Sequence, residues 1–207
     1  MLTILACIGF AICTAATIDL TLYVVYRRNS HRSQHCMDIS GYGAHDHTRF
    51  FVGVAAACLA AIATSCFRFY ELEHRLEKEE QTMVLSFTTV QIASSILMII
   101  GVGFKTSTHE GMHLALVITS WILQAAATLL DAKLAQPLVS HLMYTTVAVF
   151  AALLLLYVVF WCRGSEASRS VASHIEWVAV MWIYNLVCFA WLLQAGIWLV
   201  QDPNDES

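Results

Sequence analysis

Apolar residues in this chain gather into six long blocks separated by short polar segments. The blocks run over 3–26, 50–70, 83–104, 112–131, 139–162 and 175–200. Each is about twenty residues or more, enough at roughly 1.5 Å per residue to cross a hydrocarbon core of about 30 Å as a helix. The pattern predicts an all-α membrane protein, a single bundle of six transmembrane helices in one domain covering 1–207. The first block predicts a retained helix. It has no basic segment ahead of it, Asp19 interrupts it, and its apolar run continues to Tyr26, unlike a cleavable signal.

The polar segments differ in character. Loop 1, over 27–49, is the longest and carries His31, His35, His45 and His47, with Gly41 and Gly43 flanking Tyr42. Loop 2, over 71–81, is a charged run with Glu71 and Arg75 in an (i, i+4) pair, and reads as a solvated extension of the second span. Span 2 itself carries Gly53, Ala57, Ala61 and Ser65 at four-residue intervals, a ridge of small residues that lets a neighbouring helix approach closely. Intramolecular packing is the plainer reading of that ridge; dimerisation is the other.

Composition sharpens this picture. With 58% hydrophobic and 13% charged residues there is little material for a water-facing surface or a soluble domain. The net charge of −4 excludes no class of partner, and no basic tract suggests nucleic acid. The seven cysteines include no CxxC pair, so neither a disulfide framework nor a zinc knuckle is indicated. Arg27, Arg28, Arg32, Arg49, Lys105, Arg163 and Arg169 fall in loops 1, 3 and 5; Arg68, Arg75, Lys78 and Lys133 fall on the other side. Counted alone, this places the odd loops in the cytoplasm.

Ionisable residues within membrane spans are costly and point to sites. Asp19 lies near the loop 1 end of span 1; His109, Glu110 and His113 open span 4; His174 and Glu176 open span 6; and loop 1 brings His45, Asp46 and His47 to the same side. These nine predict a polar pocket on the odd-loop face, suited to a lipid head group or to a pH-sensitive hydrogen-bond cluster. His109 and His113, at (i, i+4), are also the candidates for a divalent metal, if His174 or Glu176 completed the set. Against the pocket stands a simpler account: interfacial histidines satisfied by water or backbone, and Glu110 and Glu176 favouring positive helix N-termini. Asp131 and His141 belong to the opposite face. Gln124 and Asn185, in mid-span, predict interhelical hydrogen bonds. Trp161 and Trp177 sit at span ends, at head-group depth.

Several segments, in order, carry a resemblance. They are Asp38-Ile39-Ser40-Gly41-Tyr42-Gly43 in loop 1, Phe50-Phe51, Arg68-Phe69-Tyr70, Gly101-Val102-Gly103-Phe104, His109-Glu110-Gly111, Gln124 and Glu176-Trp177. Together they resemble the Frag/DRAM/Sfk superfamily of six-span proteins, which includes DRAM-type autophagy modulators, their plasma-membrane relatives and, more distantly, GPI-anchor lipid-remodelling proteins. The chain departs from the family's loop 1 pattern: Gly41-Tyr42 replaces an Asp-Thr pair, and His45-Asp46-His47 stands where Pro-Pro-Glu is usual.

The resemblance implies a non-enzymatic membrane regulator or accessory subunit in an endolysosomal or plasma membrane, binding membrane lipids or a membrane-protein partner. It implies no cofactor, and places both termini in the cytoplasm, against the arginine count. The GPI-remodelling relatives imply the alternative of a lipid-modifying or lipid-moving protein, with the His and carboxylate cluster as acid and base. A haem carrier needs more buried histidines than His113 and His141 supply, and no span has the pattern of an ion filter.

Overall fold

The computed structural model describes residues 8, 11, 12, 15, 47–73, 78–104 and 106–201. The described chain is helical, with no strand. Five helices follow one another: α1 (His47–Glu73), α2 (Lys78–Gly103), α3 (Thr106–Leu134), α4 (Pro137–Cys162) and α5 (Glu166–Gln201). In the first apolar block Ile8, Ala11, Ile12 and Ala15 are helical and exposed. Sequence neighbours pack together, α1 on α2, α2 on α3, α3 on α4 and α4 on α5, as short connections between antiparallel helices require.

Three helical segments, Lys78–Gly103, Gly111–Leu134 and Pro137–Cys162, are long and apolar enough to cross a membrane, and Phe51–Ala63 is a shorter apolar stretch within α1. The chain is therefore a transmembrane protein. The distribution of side chains agrees. Val52, Leu59, Ile96, Ile122, Leu138 and Leu155 point outward, while Gln91, Ser94, Ser120, Gln124, Thr128 and Asp131 are buried. That arrangement inverts the pattern of a water-soluble protein and suits a bundle whose surroundings are as apolar as leucine. Hydroxyls that face outward are satisfied locally: Thr89 donates to Leu85 O, Thr119 to Ala115 O and Thr145 to His141 O, the intrahelical route open to serine and threonine where water is absent.

Helix ends differ from the expected ones in two places, each with a local cause. The middle of the charged segment over 71–81, at 74–77, lies outside the described residues. α1 continues to Glu73, and α2 already begins at Lys78 with Glu79 and Glu80 in its first turn, where carboxylates complement the positive helix end. The α3–α4 connection shrinks to Ala135 and Gln136, because Pro137 at the start of α4 needs no N–H partner.

The larger difference is in α5, which starts at Glu166 rather than 175. Gly164, at φ 71°, donates its N–H to Trp161 O and closes α4 in the left-handed conformation that glycine adopts most easily. Ser165 then caps α5: its Oγ accepts the Ser168 N–H at 3.2 Å. The 36 residues of α5 extend for about 54 Å, longer than a hydrocarbon core of about 30 Å.

Candidate functional site

The α2–α3 hairpin holds the most ordered polar chemistry among the described residues. Gln91 and Gln124 exchange two side-chain hydrogen bonds. Gln91 Nε2 donates to Gln124 Oε1 at 2.8 Å, and Gln124 Nε2 to Gln91 Oε1 at 2.9 Å. One turn along, Ser94 Oγ donates to Ser120 O at 2.9 Å and Ser120 Oγ to Ser94 O at 2.8 Å. Towards loop 3, His113 Nδ1 lies 2.8 Å from Gly101 O; since a carbonyl only accepts, Nδ1 carries the proton.

These pairs share one antiparallel seam. Gly101, Ser94 and Gln91 lie seven and three residues apart on α2, and His113, Ser120 and Gln124 seven and four apart on α3, so each set stays on one helix face. Gly101 permits the approach. A Cβ there would lie 3.1 Å from both Leu116 Cβ and Val117 Cγ2.

A second cluster ties α5 to α3 near the opposite membrane face. Asp131 is fully buried, and Trp191 Nε1 donates to its Oδ2 at 2.7 Å. The Trp191 ring meets Phe87 of α2 edge-on at 6.5 Å, so α2, α3 and α5 converge there. One turn further along α5, buried Gln194 accepts the backbone N–H of Gln136 through Oε1 at 3.1 Å, holding the α3–α4 turn. Trp121 and Phe150 contribute a similar edge contact between α3 and α4, at 6.3 Å.

The nine residues expected to form a pocket on the odd-loop face fare differently. Asp19, His45 and Asp46 lie outside the described residues. His47 opens α1 and Glu110 lies in α3, but their side chains are also outside the description. His109 is exposed, its ring edge-on to Phe104 at 5.7 Å. It is not in helical register with His113: at φ −140° and ψ 45° it forms a kink, and the continuous span begins at Gly111. The (i, i+4) alignment assumed for a metal pair therefore fails at His109. His113 is buried, and its Nδ1 is spent on Gly101. Among the described residues there is no group of three or more His, Cys, Asp or Glu side chains able to hold a metal ion.

In α5, His174 is exposed with Nδ1 2.7 Å from Ser170 O, whereas Glu176 is buried. Because α5 begins at Glu166, Glu176 lies almost three turns inside the helix, too deep for the N-terminal dipole to explain its position. On span 2, the small-residue ridge grades from half-buried Gly53 and Ala57 to buried Ala61 and Ser65, and Ser65 Oγ donates to Ala61 O at 2.9 Å. His141 is exposed with Nδ1 2.6 Å from Pro137 O.

Sequence reasoning foresaw the interhelical role of Gln124 but not its partner, nor the link from Asp131 to Trp191. Two glutamines in mid-span on consecutive antiparallel helices are the signal for the first. The second carried none, because Asp131 and Trp191 are sixty residues apart. No family model matches the chain, and neither a curated protein nor a solved structure matches it.

Proposed function

We propose that this protein is a six-span, non-catalytic membrane regulator or accessory subunit that acts by holding lipid or a membrane-protein partner, as its resemblance to the Frag/DRAM/Sfk superfamily implies. In this reading the first apolar block, α1 and α5 cross the membrane with the other three helices. Both ends then share one side, the cytoplasmic one by the same resemblance, in an endolysosomal or plasma membrane. The observation that carries the reading is the use made of the buried polar groups. Gln91, Gln124, Ser94, Ser120, His113 and Asp131 bond across helices, and such bonds support assembly of a bundle in lipid.

Purification in mild detergent at native expression level, with mass spectrometry of co-eluting proteins and lipids, tests it. A stoichiometric membrane-protein partner or one enriched lipid is expected. Elution alone with the bulk lipid mixture would refute it.

The lipid-modifying alternative has one observation in its favour: His109 is exposed at a kink just before the fourth apolar block, where head groups lie. Lipid turnover by the purified protein that disappears in His109→Ala would establish it. Unchanged partner binding and trafficking in both His109→Ala and Glu176→Ala would remove the odd-loop pocket from either reading.

A further inference from the structure

Where α4 leaves the membrane, three aromatic rings and two arginines assemble around the turn into α5. Tyr157 and Trp161, one helical turn apart, stack at 5.8 Å with 27° between their planes. The Arg169 guanidinium, from the second turn of α5, lies 5.8 Å from the centre of the Trp161 ring. Arg163, just past the end of α4, lies 5.2 Å from the centre of the neighbouring Phe160 ring. The span ends at Cys162, so both guanidinium groups stand at the depth of lipid phosphates, with indole and phenyl rings at the interface below them.

Two features make this more than an aromatic belt. A guanidinium carries five N–H donors in one plane, a fork suited to the paired oxygens of a phosphate, and contact with a ring limits where that fork can sit. Both arginines are exposed, and each guanidinium lies against an aromatic ring. α5 also begins between them, at Glu166, so the positive end of a 36-residue helix adds to the same field.

We infer that the α4–α5 turn binds the phosphate of an anionic phospholipid, with Arg163 and Arg169 donating to its oxygens and Phe160 and Trp161 fixing the two guanidinium groups at head-group depth. This deepens the lipid arm of the function proposed above by naming the head-group chemistry and its place. It holds for either orientation of the protein.

The test equilibrates the full-length protein with mixed micelles of phosphatidylcholine and phosphatidylglycerol and counts retained lipids by native mass spectrometry. Phosphatidylglycerol should be enriched. The enrichment should fall about fivefold for each of Arg163→Gln and Arg169→Gln, the equivalent of about 1 kcal/mol per basic residue near an anionic surface. It should survive Arg163→Lys better than Arg163→Gln, and weaken with salt. Lys133→Gln, at the other membrane face, should leave it unchanged.

No enrichment in the wild type overturns the inference without recourse to any variant, as does equal enrichment in the double glutamine variant. Inorganic phosphate competing as well as the lipid would also overturn it, by showing a free-anion site. A stoichiometric protein partner without anionic-lipid enrichment would leave the regulator reading standing and remove this inference alone.

Discussion

Replacing Gln91 with leucine removes both bonds of the reciprocal amide pair at 2.8 and 2.9 Å and strands the Gln124 amide, which is 5% exposed. A buried polar group left without its partner costs about 1–3 kcal/mol. Interhelical hydrogen bonds within membranes average nearer 0.6 kcal/mol, with a maximum of about 1.7, so about 1–2 kcal/mol is expected for Gln91→Leu and the same for Gln124→Leu. The double variant places two leucines of similar size face to face, with nothing left unsatisfied in the pair. It should cost no more than about 1 kcal/mol relative to the wild type, giving a coupling energy of about 1–4 kcal/mol. Reversible unfolding in mixed micelles with increasing dodecyl sulfate, followed by circular dichroism, provides the four corners of the cycle. Additive single effects, with a coupling below about 0.3 kcal/mol, would show that the two amides do not bond and would refute the seam.

Four further outcomes follow from the geometry. Gly101→Ala should destabilise by about 1–3 kcal/mol through overpacking against Leu116 and Val117, whereas Gly111→Ala, with nothing near its added Cβ, should be neutral or gain up to about 1 kcal/mol; thermal unfolding of the two variants separates them. Trp191→Phe keeps most of the packing on Phe87 but loses the donor to Asp131 Oδ2, and should cost about 1–3 kcal/mol in the same assay, the range for a buried acceptor that loses its donor; a cost near zero would remove that bond. Ser165→Ala should lose about 1 kcal/mol of capping and speed hydrogen exchange of the Ser168 amide roughly fivefold, without changing exchange in α3. Gly164→Ala forces a side chain into φ 71° at about 1–2 kcal/mol, seen as a lower midpoint in thermal unfolding.

Much of the architecture was legible because lipid imposes a simple rule: a span needs an unbroken apolar run, and the runs over 83–104, 112–131 and 139–162 match α2, α3 and α4, overrunning them by one residue at most. Hydropathy does not mark where a helix stops when polar residues continue it. It therefore missed the early start of α5, where Ser165, Ser168 and Ser170 are compatible with a capped helix in water. The histidines were the poorest guide. Spacing alone aligned His109 with His113, but the kink at His109 breaks that register, and His113 turned out to serve a glycine carbonyl on the neighbouring helix. Gly101 explains why: its missing side chain brings α2 and α3 close enough for an imidazole to reach the backbone, a relation that needs both helices in view. Pairs such as Asp131 with Trp191 and Arg169 with Trp161 depend on the packing of α5, which no local pattern reports.

The measurement that tests the account most directly is the sidedness of the two chain ends. Tags at the N- and C-termini, probed in sealed vesicles with a membrane-impermeant reagent before and after permeabilisation, read the parity of the crossings. Six spans predict that both tags react from the same side, the cytoplasmic one. Tags reacting from opposite sides would mean an odd number of crossings, and would contradict both the six-span bundle and the single polar face assigned to loops 1, 3 and 5.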